Sequence, residues 1–132
     1  MSATQDVLNH HLACFAATDL EGTLSDYSED AVIMTPQGVF KGLSEIRMFF
    51  ENGYAEFGQP GTQFTMHKMI VDGDYAFIFW DAETPTNRFE AASDTFVIRD
   101  GRIRAQTFAA KVVPKSDFAS EVGSAYSGVD AA

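Results

Sequence analysis

The stretch "ASDTFVIRDGRIRAQTFAAKVV", Ala92 to Val113, turns on the pair Asp100-Gly101. Asp-Gly between two runs rich in Val, Ile, Thr and Phe is a strong hairpin signal, because both residues tolerate the positive φ that a two-residue turn requires. Pairing Arg99 with Arg102, and onward Phe96 with Ala105 and Asp94 with Thr107, separates two faces. One carries Asp94, Phe96, Ile98, Ile103, Ala105, Thr107 and Ala109; the other carries Thr95, Val97, Arg99, Arg102, Arg104, Gln106 and Phe108. Three arginines assign the second face to water. The small residues of the first leave volume between the sheet and whatever covers it. Asp94 then lies at the wall of that space, or else caps its own backbone at a strand start.

Working back along the chain, "TQFTMHKMIV" and "YAFIFWDAET" flank Asp72-Gly73 and give a second hairpin, with Pro85-Thr86-Asn87 turning the chain between the two. The same counting places Thr65, His67, Met69, Ala76, Ile78 and Trp80 on one side, and Phe64, Met66, Tyr75, Phe77 and Phe79 on the other. Both sides are apolar, which calls for helices on one and a second subunit on the other. The Phe-rich side is the candidate interface of a homodimer formed through the sheet face. Further upstream, Ile46, Phe49, Phe50, Tyr54 and Phe57 form the stripe of a long helix capped by Ser44, with Glu45 in its first turn. "AVIMT", bent by Pro36-Gln37-Gly38 before "VFKG", reads as a bent strand or short hairpin. Val7, Leu8, Leu12 and Phe15 mark a first helix over about Thr4 to Thr18, and Asp19 caps a second running to Tyr27.

This order of helices and antiparallel strands predicts an α+β fold, a single domain over residues 1–114, in which helices cover one face of a curved sheet. Residues 115–132, rich in Ser, Ala and Gly, show no periodicity and are expected to be a flexible tail.

With 132 residues the chain is long enough to bury a real core, and its 12 Phe exceed what a minimal core needs. Nine Lys and Arg against 19 Asp and Glu leave a net charge of -10, which repels phosphate backbones and anionic headgroups, so neither nucleic acid nor membrane is expected as a partner. The single cysteine, Cys14, falls on an apolar helical face and reads as an inert thiol. His10, His11 and His67 lack the i, i+4 spacing of a helical metal pair, and no metal or cofactor is expected. The N-terminus shows no basic region followed by an apolar run and no window approaches a membrane span, so a soluble, cytoplasmic protein is expected.

The segments "FAATDLEGTLSDYSEDAVIMTPQGVFKG", "VDGDYAFIFW" and "SDTFVIRDGRI", in this order around a long helix, resemble the nuclear-transport-factor-2-like (NTF2-like) superfamily. Within it, the chain is similar to the SnoaL-like polyketide cyclase and ketosteroid isomerase group. The resemblance spans roughly Val7 to Val113 and implies a cone-shaped α+β roll, also called cystatin-like. In ketosteroid isomerases a general-base Asp works opposite an oxyanion hole formed by a Tyr and a protonated Asp. Carried onto this sequence, the base position falls on Thr35, the Tyr position on His11 and the neutral acid on Asp94. A threonine hydroxyl is too weak a base for the familiar isomerisation.

The resemblance leaves His11 and Asp94 as candidate catalytic residues, an imidazole and a carboxyl across an apolar cavity. Tyr27, Met34, Thr35, Phe40, Phe50, Tyr54, Trp80 and Phe96 are candidate substrate-binding residues for a small hydrophobic carbonyl compound. His11 reads equally as a hydrogen-bonded core residue. The same cavity would serve a non-catalytic ligand-binding protein, or the domain a dimerisation role.

Overall fold

The computed structural model describes residues 2–115; the expected tail at 115–132 lies, from residue 116 on, outside the described residues. Ser2 caps α1 (Ala3–Ala16) by accepting from the Gln5 N–H, and Asp19 caps the short α2 (Leu20–Leu24) through the Gly22 N–H. Gly22 permits a close approach here. A Cβ at this position would lie 2.4 Å from the Asp19 carboxylate and 2.8 Å from the Cys14 sulfur.

Helix α2 stops before Tyr27, which opens β1 (Tyr27–Thr35) instead of ending the helix, and a tight turn at Pro36-Gln37 leads into β2 (Gly38–Lys41). The cap of α3 (Gly42–Phe57) also differs from the sequence reading. Lys41, not Ser44, is the cap residue, and its N–H donates to the Glu45 carboxylate at 2.7 Å. An acid reaching back to the cap residue's N–H corresponds to one half of a capping box, and no side chain of the cap residue supplies the other half. The apolar stripe of α3 is as expected, with Ile46 and Phe50 buried and Phe49, Tyr54 and Phe57 packed on the core.

Strands β3 (Gln63–Asp72), β4 (Tyr75–Glu83), β5 (Asn87–Arg99) and β6 (Arg102–Pro114) complete a six-stranded sheet in the order β2-β1-β6-β5-β4-β3. Only the β1/β6 pair among its neighbours is parallel. One face packs on the helices, giving the α+β roll expected. The Asp100-Gly101 turn has positive φ at both residues, and Arg99 pairs with Arg102 across it.

Beyond that turn the register departs from simple counting. Ile98 pairs with Ile103, but Val97 pairs with Ala105, so Arg104 is an extra residue on β6. A bulge of this kind turns every later side chain to the opposite face. Gln106 therefore points inward, only 3% exposed, while Ala105, Thr107 and Ala109 take the outer side. Residues of β5 keep their expected sides, with Asp94, Phe96 and Ile98 all buried.

The other hairpin is corrected in the same way. Asp72 pairs with Tyr75, so the loop residues are Gly73 and Asp74, and a bulge at His67 swings Phe64 and Met66 onto the Trp80 side. Thr65 is thereby moved off that side, which is why Phe64 and Met66 do not belong to the proposed outer interface. A further bulge lies on β5 around Ala91, opposite Asp81 of β4, where the Asp81 carboxylate accepts both the Ala91 N–H at 3.1 Å and His67 at 2.8 Å. Bulges on β3 and β5, on either side of Asp81, bend the sheet at this level.

Candidate functional site

Between the bent sheet and the helices lies a cavity of about 470 Å³ with a mostly apolar wall. That volume suits a small organic molecule. Phe15, Phe49, Phe57, Trp80, Phe89 and Phe108 supply aromatic wall, and His11, Asp94 and Gln106 bring polar atoms to it.

Asp94 sits in mid-strand, 6% exposed, so the strand-cap alternative is set aside. Its Oδ1 accepts the indole N–H of Trp80 at 2.8 Å, and its Oδ2 accepts the side-chain amide N–H of Gln106 at 2.9 Å. The Gln106 amide is oriented from behind, because its Oε1 accepts the hydroxyl of Tyr27. A chain Tyr27, Gln106, Asp94, Trp80 thus runs under the cavity floor. Burial raises the Asp94 carboxyl to about 6, against the opposing pull of the Trp80 and Gln106 hydrogen bonds. Burial, and after it the charge of Asp94, pushes the Tyr27 phenol well above its ordinary value.

His10 and His11 divide as neighbouring helical residues should. His11 is 3% exposed and faces the cavity, whereas His10 turns outward. The His11 ring meets Phe96 edge-on at 5.4 Å and Tyr27 and Phe50 at 5.9 Å each. Its Nδ1 is buried with no hydrogen-bond partner among the described residues. Burial, followed by the charge of His10, lowers His11 to about 4, so the imidazole is neutral near pH 7. His11 and Asp94 share the cavity wall, but the Asp94 carboxylate is held by Trp80 and Gln106, not by His11.

The remaining candidates divide between wall and core. Thr35, Phe40, Phe50 and Trp80 line the cavity. Thr35 spends its hydroxyl on the β1/β2 turn, donating to Gly38 O at 3.2 Å and accepting from the Gln37 N–H at 3.1 Å. Tyr27 and Phe96 lie beneath the wall. Tyr27 reaches the site only through Gln106, and Phe96 is fully buried against His11. Tyr54 turns its hydroxyl to Thr23 at 2.5 Å, burial pushing the phenol up to about 12. Met34 is 52% exposed on the outer face, because the alternation of β1 places Ile33 inward.

Much of the wall lies outside the sequence candidates, and two of the residues missed, Gln106 and Glu56, bring polar side chains to it. Gln106 is hidden by the Arg104 bulge. Its alternation with Phe108 and Ala110 is the only sequence signal that this half of β6 faces the other way. Glu56 lies at the cavity mouth, where its Oε2 accepts from Thr84 at 2.5 Å and from Thr86 and Asn87 at 2.9 Å each. This carboxylate anchors the β4/β5 turn to α3.

The family profile described as a SnoaL-like domain matches residues 8–106. A comparison with curated proteins finds no significant match. Among solved structures, a candidate polyketide cyclase of Sinorhizobium meliloti shares the fold at 18% identity and a TM-score of 0.67, over 82% of this chain and 99% of that one. A candidate ketosteroid isomerase of Kribbella flavida aligns at 17% identity and a TM-score of 0.68, over 86% of this chain and 79% of that one. An NTF2-like protein of unknown function from Cytophaga hutchinsonii aligns at 16% identity and a TM-score of 0.67, over 81% and 88%. At such identities the likeness establishes the fold alone.

Proposed function

The chain belongs to the SnoaL-like domain family, and from that premise we propose that it binds a small hydrophobic carbonyl compound and moves a proton at the carbon beside the carbonyl. The observation that carries this reading is the Asp94 carboxyl, buried in the aromatic wall of the cavity and held there by two fixed donors, with its affinity for a proton raised to about 6. A proton-transfer group works best when its pKa lies near the operating pH, and Asp94 meets that condition where Thr35 does not. In this reading Asp94 takes the proton and returns it, and the neutral His11 imidazole offers an N–H to the carbonyl oxygen as negative charge develops there. Trp80 and Gln106 hold the carboxylate in place, and the cavity excludes the water that would weaken both interactions.

The test is proton exchange. Aromatic ketones and 1,3-diketones are incubated in D2O with wild type and with Asp94→Asn, and deuterium uptake at the α-carbon is followed by NMR. Catalysed uptake by wild type, reduced at least tenfold in Asp94→Asn, is expected. Binding is read separately from quenching of Trp80, the only tryptophan in the chain. Quenching without exchange would replace the enzyme reading by that of a ligand-binding protein. That second reading draws on the fact that both Asp94 oxygens already accept a hydrogen bond.

The proposal includes a homodimer through the outer sheet face. Ladder pairing lines up Ile70, Phe77, Thr95, Thr107, Met34 and Val39 as one row across all six strands, with Ile70, Met34 and Val39 exposed. A mainly apolar row of this length on the outer face of the sheet suits a second copy of itself. Sedimentation velocity is expected to give twice the monomer mass, falling to one in Ile70→Lys with Met34→Lys; a monomeric wild type would rule the dimer out. No helix among the described residues is long and apolar enough to cross a membrane.

A further inference from the structure

On the far side of α1 from the cavity, three metal-ligating side chains of different chemistry converge. His10 and Cys14 lie at i, i+4 on one face of α1, and Asp26 stands between α2 and β1. The donor atoms of the three all fall within 4.8 Å of one another. His10 Nδ1 is 2.7 Å and 2.9 Å from the two Asp26 oxygens, and the Cys14 sulfur is 3.9 Å from the same nitrogen. None of the three touches the cavity.

We propose that His10 Nδ1, Cys14 Sγ and an Asp26 carboxylate oxygen form a binding site for one divalent transition-metal ion of the zinc type, with the fourth position left to solvent. A tetrahedral zinc ion with one sulfur, one nitrogen and one oxygen donor at ordinary bond lengths separates those donors by about 3.4 to 3.6 Å. The observed 2.7 Å from nitrogen to oxygen and 3.9 Å from nitrogen to sulfur straddle that range. An ion replacing the proton shared by His10 and Asp26 therefore needs the His10 nitrogen to move away from the carboxylate and towards the sulfur. The ring is free to make that movement, since the His10 side chain is 52% exposed. The other two donors are buried and fixed. The backbone of Asp26 is held on both sides, its N–H donating to Thr23 O at 3.1 Å and its carbonyl accepting from the Ile103 N–H at 2.7 Å.

The sulfur lies 3.6 Å from His10 Nε2 and 3.9 Å from Nδ1, off the in-plane lone pair, so binding one ion requires the exposed His10 ring to turn toward it. Gly22 also leaves the sulfur a cradle that a Cβ would fill. Thiolate with imidazole and carboxylate selects zinc or cobalt over magnesium or calcium. The site clamps α1 to the start of β1, one residue from His11.

The test uses the full chain, reduced and freed of metal, titrated with CoCl2 and then ZnCl2. The expected result is a near-ultraviolet thiolate-to-cobalt charge-transfer band saturating at one equivalent, abolished by zinc, together with a rise in melting temperature. Cys14→Ser and His10→Ala are each expected to remove the band and weaken zinc binding at least tenfold. Circular dichroism checks that both variants are folded, and the outward placement of His10 makes its variant the safer of the two. Absence of the band from wild type, or zinc stabilisation undiminished in both variants, overturns the site.

Discussion

Asp94→Asn is expected to gain on the wild type in stability as pH rises, by about 3 kcal/mol between pH 4 and pH 8. The carboxyl of Asp94 binds its proton more tightly when folded, at about 6 against the ordinary 3.8 of the unfolded chain. A group raised in this way contributes its full stability below pH 3.8 and loses it as pH climbs through 6, because the unfolded chain releases the proton first. A shift of roughly two units corresponds to about 3 kcal/mol. Asparagine carries no charge anywhere in this window, so the variant lacks the loss. Its hydrogen bonds survive one rearrangement. Trp80 donates to the asparagine oxygen, the asparagine N–H2 donates to a reversed Gln106 amide, and the Tyr27 hydroxyl accepts from Gln106 instead of donating. His11 is present in both proteins and drops out of the difference. Urea unfolding at pH 4 to 8, followed by Trp80 fluorescence, reads the effect directly. A difference between the two proteins that stays constant with pH would mean that Asp94 is solvated and does not hold a raised proton affinity.

Why Asp94 is legible in the sequence and Gln106 is not follows from where the β-bulges fall. Asp100-Gly101 fixes the hairpin because few dipeptides accept two positive φ values, and side chains on β5 then alternate without interruption from Arg99 back to Asp94. On β6 the extra residue is Arg104, and only the later alternation of Gln106, Phe108 and Ala110 hints at it. With either register an arginine reaches water and a small or apolar residue faces in. The sign of the whole inner face beyond it is then decided by packing with β1 and α3, which no local pattern encodes. Ala105, Thr107 and Ala109, expected to leave the volume, lie on the outer side, and the cavity is lined from β6 by Gln106 and Phe108 instead. The same limit explains the aromatic candidates. Phe40, Phe50 and Trp80 reach the wall and Phe96 does not, though all are equally apolar in sequence. Helix spacing, in contrast, is local, and the opposite directions of His10 and His11 can be read from their adjacency alone.

That opposition makes His11 the more telling of the two histidines, and His11→Phe is expected to raise stability at pH 7.5 by about 1 to 3 kcal/mol while abolishing proton exchange. The wild-type imidazole buries Nδ1 without a partner, and an unsatisfied buried nitrogen costs about that much. Phenylalanine removes the nitrogen and keeps a ring among Tyr27, Phe50 and Phe96, whose edge-on contacts do not depend on an imidazole. The extra bulk has room, since the ring borders the cavity. A protein that becomes more stable and inactive by one substitution carries a costly residue for its chemistry, as residues held for function often are. Leucine at the same position separates packing from polarity, because it removes the nitrogen without restoring the aromatic contacts. Urea unfolding at pH 7.5 and deuterium exchange on the same preparations decide the matter. If His11→Phe is less stable than wild type, the imidazole is bonded in solution and works as a core residue, and its role as donor to the carbonyl oxygen is withdrawn.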